Sequence, residues 1–236
     1  MSHVEKGFIP AGPFRSGKGR MVSDKVRELV HAADQRYDHG DFSGAVKLYE
    51  KALKLDPNDS EAWNNKGVSL AHMGRHDEAI ECYEKAQALR PGNWKAWYNL
   101  GVAYHRTGRL REALGCYDRS IELRPDHFSA MDNKAVALRA LRHDDEALGC
   151  YDALLAANPF YEPAWRNKGH LLTAMGDIHE ARICFEMADM INPHSGAPAP
   201  PKKAAGTKKG AASGRPAPDA GAEPDIIEGE EKEGED

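Results

Sequence analysis

Five prolines, Pro57, Pro91, Pro125, Pro159 and Pro193, recur thirty-four residues apart, and the residues around each recur in the same register. A fixed period of that length makes most of the chain one supersecondary unit copied in tandem, and such a unit hides its apolar surface only against its neighbours. The copies run 26–59, 60–93, 94–127, 128–161 and 162–195. Ala45, Ala79, Ala113, Ala147 and Ala181 share one position of the unit, and Tyr49, Tyr83, Tyr117, Tyr151 and Phe185 share another.

In the third copy Trp97, Leu100, Gly101 and Tyr104 fall three, one and three apart, the spacing of one helix face. Gly108 ends this first helix, here helix A. Ala113, Tyr117, Ser120 and Leu123 then give a second, helix B, its own stripe before Pro125 stops it. Small residues at Ala33, Gly67, Gly101, Ala135 and Gly169 let A and B approach closely. Three departures stand out. Lys66, Lys134 and Lys168 stand where the repeat family that this pattern resembles usually has leucine, and are expected to lay their stems along apolar surface, loosening the packing slightly. Arg142 stands where Gly40, Gly74, Gly108 and Gly176 end the other A helices, so the fourth copy is expected to have an altered turn and to be the weak joint. Leu154 replaces a small residue of helix B.

With 41% hydrophobic residues and a formal net charge of -5 the composition is that of ordinary soluble material. No run of eighteen apolar residues and no charged-then-apolar leader is present, so a cytoplasmic protein with no membrane contact is expected. Cys82, Cys116, Cys150 and Cys184 hold the same place in four successive copies. That puts them about 10 Å apart, too far for disulfides or a shared zinc ion, and they read as small semi-buried residues. The best histidine pair, His72 and His76, lacks a third ligand, so no metal and no cofactor are expected.

The repeated pattern, a large apolar residue, a small one, an aromatic or leucine, then Gly, Ala, aromatic, Ala and Pro, resembles the tetratricopeptide repeat over about 170 of 236 residues. The resemblance implies an all-α, right-handed α-solenoid of five helix-turn-helix repeats, with the outer face of helix A lining a concave groove where peptides lie. In the third copy that face carries Lys95, Tyr98, Asn99, Val102, His105 and Arg106, read as solvent-facing. One groove position holds His31, Asn65, Asn99, Asn133 and Asn167. An asparagine amide pairs with both C=O and N–H of an extended chain whatever its side chains. The row Asn65, Asn99, Asn133 and Asn167 is therefore similar to the asparagine ladder of the O-linked GlcNAc transferase superhelix, with His31 breaking it. The alternative is that these asparagines help neighbouring helices hydrogen-bond.

Flanking charges differ along the chain. Arg27 stands with Asp34, Asp38 and Glu61 in the first two copies, whereas Lys95, Arg106, Arg139 and Arg166 stand with Asp132 in the last three. An extended partner of acidic character is expected there, with His170 also in contact; solvated charge without a partner is the alternative. The carboxylate clamp known in the family fits poorly, because Val30 and Asp34 replace its first pair and Asn99 its arginine.

Residues 1–22 and 196–236 are read as disordered, the latter basic and then acidic and able to visit the groove. Gly12, Gly17 and Lys18 fall short of a phosphate loop, since Gly19 replaces the hydroxyl residue and no strand precedes it. The repeats show no basic stripe, so nucleic acid is not the expected ligand. The chain thus reads as a non-enzymatic protein- or peptide-binding adaptor or scaffold. The alternative is a self-assembly module or regulatory subunit working through repeat faces and the fifth copy, whose helix B contains Ile183, Phe185, Met187, Met190 and Ile191, more apolar residues than one buried stripe requires.

Overall fold

The computed structural model describes residues 17–193, which hold ten α-helices and, among them, no strand. They are α1 (Gly17–Asp38), α2 (Phe42–Leu55), α3 (Ser60–His72), α4 (His76–Leu89), α5 (Trp94–Arg106), α6 (Leu110–Leu123), α7 (Phe128–Ala140), α8 (Asp144–Ala157), α9 (Glu162–Met175) and α10 (Ile178–Ile191). Residues 17–22, expected to be loop, open α1. The expectations for 1–16 and 194–236, including the tail's visit to the groove, concern residues outside the described ones. The chain divides into two compact units between Arg90 and Pro91.

In the first unit each helix packs on the next, α1 on α2, α2 on α3 and α3 on α4. Asp41 caps α2 by accepting from the Gly44 N–H, and Asp59 caps α3 by accepting from Glu61 and Ala62. Tyr49 sits at the centre of a core with Ala33, Ala45, Leu53 and Ala62. Glycine at 67 is a steric requirement, because a Cβ there would stand 2.6 Å from the Tyr83 ring.

The second unit repeats the arrangement in α5–α10, where Asn93 caps α5. A Cβ on Gly101 would meet Tyr117 at 2.7 Å, and one on Gly169 would meet Phe185 at 2.9 Å. Tyr151 and Leu154, both fully buried, fill the space beside Ala135 and Leu171. The periodic prolines have a hydrogen-bonding role as well as a helix-stopping one. Three of their carbonyls accept from the indole N–H six residues on, Trp63 to Pro57 and Trp97 to Pro91 at 2.9 Å, Trp165 to Pro159 at 2.8 Å.

Two expectations are corrected. The turn at Arg142 is not altered: it keeps φ at 67°, beside 74°, 72° and 75° at Gly40, Gly74 and Gly108, so the arginine takes the left-handed conformation and bears its strain. The helix-A lysines are not idle stems. Lys66 reaches Glu50 at 3.1 Å, Lys134 reaches Asp118 at 2.6 Å and Lys168 reaches Asp152 at 2.5 Å, each joining helix A to the helix B before it. All four cysteines are free, and Cys82, Cys116 and Cys184 are buried.

Candidate peptide-binding face

In the second unit the helix-A residues read as solvent-facing separate into two sets. Lys95, Arg106 and His170 are exposed, and Asn99, Arg139, Arg166 and Asn167 are half-buried. Tyr98 and Asn133 are corrected: they are 2% and 0% exposed. The Asn133 amide donates to the Tyr98 hydroxyl at 3.1 Å, and the His127 ring stands edge-on to Tyr98 and Trp94 at 4.6 and 4.5 Å. These groups tie α5 to α7. His127 itself is buried, with its Nδ1 3.2 Å from the Ser120 hydroxyl. Burial, helped by the charge of Arg124, pushes its pKa down to about 4, so it is neutral.

Asn167 repeats the pattern one helix pair later. Its amide donates to both oxygens of Asp132, at 3.1 and 3.2 Å, from the same offset of 35 residues that separates Asn133 from Tyr98. Asp132 is fully buried, and burial raises its carboxyl to about 7 against the pull of the Asn167 hydrogen bond. Asn65 in the first unit donates to Asp34 at 3.4 Å and accepts from Asn64 at 3.2 Å, and Asp34 also accepts from the Tyr49 hydroxyl. Three of the four asparagines thus spend amide N–H groups on the preceding A helix. Asn133 is wholly buried, so of these three only the exposed atoms of Asn65 and Asn167 are what a ligand would meet.

Arg166 is also corrected as an available cation. It lies 2.6 Å from Glu162 and 3.3 Å from Asp189, with its side chain only 14% exposed. Arg139 takes part in no ion pair among the described residues. His170 sits edge-on to Phe185 at 5.0 Å, and burial followed by the charges of Arg139 and Arg166 lowers its pKa. The expected face therefore reduces to Lys95, Asn99, Arg106, Arg139, Asn167 and His170, with buried Val102 and Val136 on the same helices.

Sequence reasoning missed the clasps between successive helix pairs. The signal was present: Glu50 and Lys66, Asp118 and Lys134, Asp152 and Lys168 each stand sixteen residues apart. Among the described residues no group of three or more His, Cys, Asp or Glu is arranged to hold a metal ion, and no helix is long and apolar enough to cross a membrane.

Family models of the tetratricopeptide repeat match residues 31–93, 73–128, 108–162 and 162–195. The chain belongs to the tetratricopeptide repeat family. Solved structures agree on an all-α helical repeat of the solenoid class. MamA is 26% identical with a TM-score of 0.65, over 68% of this chain and 94% of its own. YrrB, a TPR protein with an unusual peptide-binding site, is 22% identical at a TM-score of 0.62, over 74% and 93% of the two chains. The first TPR of Spaghetti (RPAP3), bound to an HSP90 peptide, is 25% identical at 0.50, over 51% of this chain and 95% of its own. Curated relatives match over short stretches. A peroxisomal targeting signal receptor of Saccharomyces cerevisiae is 42% identical over 43 residues, which is 18% of this chain and 7% of the receptor's length. An uncharacterized protein of Methanocaldococcus jannaschii is 40% identical over 40 residues, 17% of this chain and 46% of its own.

Proposed function

We propose that this chain is a non-enzymatic protein-binding adaptor that holds an extended, acidic partner segment against the helix-A face of α5, α7 and α9. The observation that carries this reading is the cationic character of the side chains that face exposes. Lys95 and Arg106 are exposed and Arg139 takes part in no ion pair among the described residues, while Asp132, on the same helix as Arg139, is buried and accepts from the Asn167 amide. Peptide binding by YrrB and by the Spaghetti domain on the same fold supports a polypeptide ligand. Asn99 and the outward atoms of Asn167 supply backbone hydrogen bonds of about 0.5–1.5 kcal/mol each, so charge and side-chain contacts provide most of the roughly 8 kcal/mol of a micromolar complex.

Titrating the full chain into fluorescent extended peptides, one rich in Glu and Asp and one its Gln/Asn counterpart, tests this. The acidic peptide should bind at least tenfold tighter, and Arg106→Ala with Arg139→Ala should remove most of that margin. Equal binding of both peptides, or a margin untouched by the double substitution, would remove this face from consideration.

A further inference from the structure

In the second unit, helix α10 carries Ile183, Met187 and Met190 at i, i+4 and i+7, one straight stripe. Ile183 is 44% and Met190 68% exposed, with Met187 part-buried between them. The same three register positions are exposed on α2, α4, α6 and α8, so solvent is their ordinary surrounding. On α2 they hold Lys47, Lys51 and Lys54. Only on α10 are all three large and apolar. Neighbouring α8, whose Leu148 packs against the Cys184 and Phe185 cluster, has Gly149, Ala153 and Ala156 there, so no long side chain projects beside the stripe.

We infer that this stripe is the interface to a second copy of the chain, with two α10 helices packed antiparallel about a two-fold axis. The charges beside the stripe select this occupant. Arg182 precedes Ile183 and Asp189 precedes Met190, on one flank. Their side chains are 63% and 59% exposed; Arg182 is held only by Glu186 at 3.5 Å, and Asp189 by Arg166 at 3.3 Å. Turning one helix end for end puts Met187 against Met187 of the other copy and Ile183 against Met190. Arg182 then faces Asp189 of the other copy, once on each side of the axis. An isologous interface requires that self-complementarity. A 14-residue helix pair buries less than the roughly 1,600 Å² of a standard interface, so the dimer forms in the micromolar range. It leaves the helix-A face of both copies open and makes the adaptor bivalent, which raises avidity for a partner with two binding segments.

Sedimentation equilibrium of the full chain from low to several hundred micromolar should show a monomer–dimer equilibrium. Met187→Lys and Met190→Lys should each weaken it at least tenfold with the circular dichroism spectrum unchanged, both side chains lying on the outer face. Arg182→Asp should weaken it and Asp189→Arg in the same chain should restore it. With Cys150→Ser as background, Met187→Cys should give a disulfide-linked dimer on mild oxidation, and Lys85→Cys, at the same register of α4, should not. A chain monomeric throughout, or a dimer indifferent to both lysine substitutions, would overturn the inference. So would a dimer that forms only after removal of 194–236, which would assign the stripe to the chain's own C-terminal segment.

Discussion

Asp132 is the residue whose burial has the clearest thermodynamic signature. Its carboxyl titrates near 7 in the folded chain and near 4 when unfolded, so between those values the folded chain holds the proton more tightly. Stability from this group therefore falls as pH rises from about 4 to 7 and stays low above. His127 has the opposite slope, because its folded pKa of about 4 lies below the unfolded value of about 6.5 and its contribution is lost as pH falls through that interval. Asp132→Asn should isolate the first effect: its stability relative to wild type should climb from pH 4 to 7 and level off near a gain of about 2 kcal/mol, by urea titration at each pH. A flat difference would mean the carboxyl is not held neutral. Arg142 bears the strain of a φ of 67°, and its exposed side chain reaches only Asp144, at 3.8 Å, among the described residues. Arg142→Gly should stabilise by about 0.5–1 kcal/mol, less than the full conformational strain because glycine also frees the unfolded chain. Unchanged or lower stability would contradict that account.

The helices themselves were legible in the sequence, because apolar spacing, Gly108-type stops and periodic prolines all point to the same boundaries; only the start of α1 was misplaced. What joins one helix pair to the next was not legible from a single helix's pattern. Lys134 looks out of place on helix A until Asp118 of the preceding helix B is seen 2.6 Å away. Tyr98 and Asn133 likewise look solvent-facing when each helix is drawn alone, and are covered only when α5 and α7 meet around His127. A double-mutant cycle on Lys134→Met and Asp118→Asn should give a coupling of about 0.5–1 kcal/mol, since both groups remain partly exposed. Raising the salt concentration to 1 M should halve it or more. A coupling near zero would reduce the clasp to a surface coincidence.

At the scale of the whole molecule, within each of the two units every helix pair in contact among the described residues is one or two places apart in the chain: α1 touches α2 and α3, and α7 touches α8 and α9. Stability in such a chain is a sum of neighbouring terms, and a local injury stays local. Gly169→Ala, which sets a Cβ 2.9 Å from Phe185, should speed amide exchange in α9 and α10 while leaving α1–α4 as they were. Uniform acceleration would show a single cooperative block. The candidate face was legible only in outline, for the same reason that the clasps were not: charge can be read from residue type, but which charges are already paired depends on other helices, as Arg166 and Asp189, 23 residues apart, show. The indole bonds to the proline carbonyls carry a practical consequence. Trp63, Trp97 and Trp165 each have their ring proton fixed on the turn that leads into their own helix, at 2.8–2.9 Å. Each indole proton is thus a separate native resonance, and its shift on heating or on adding a partner reports which turn has loosened, without any label having been attached.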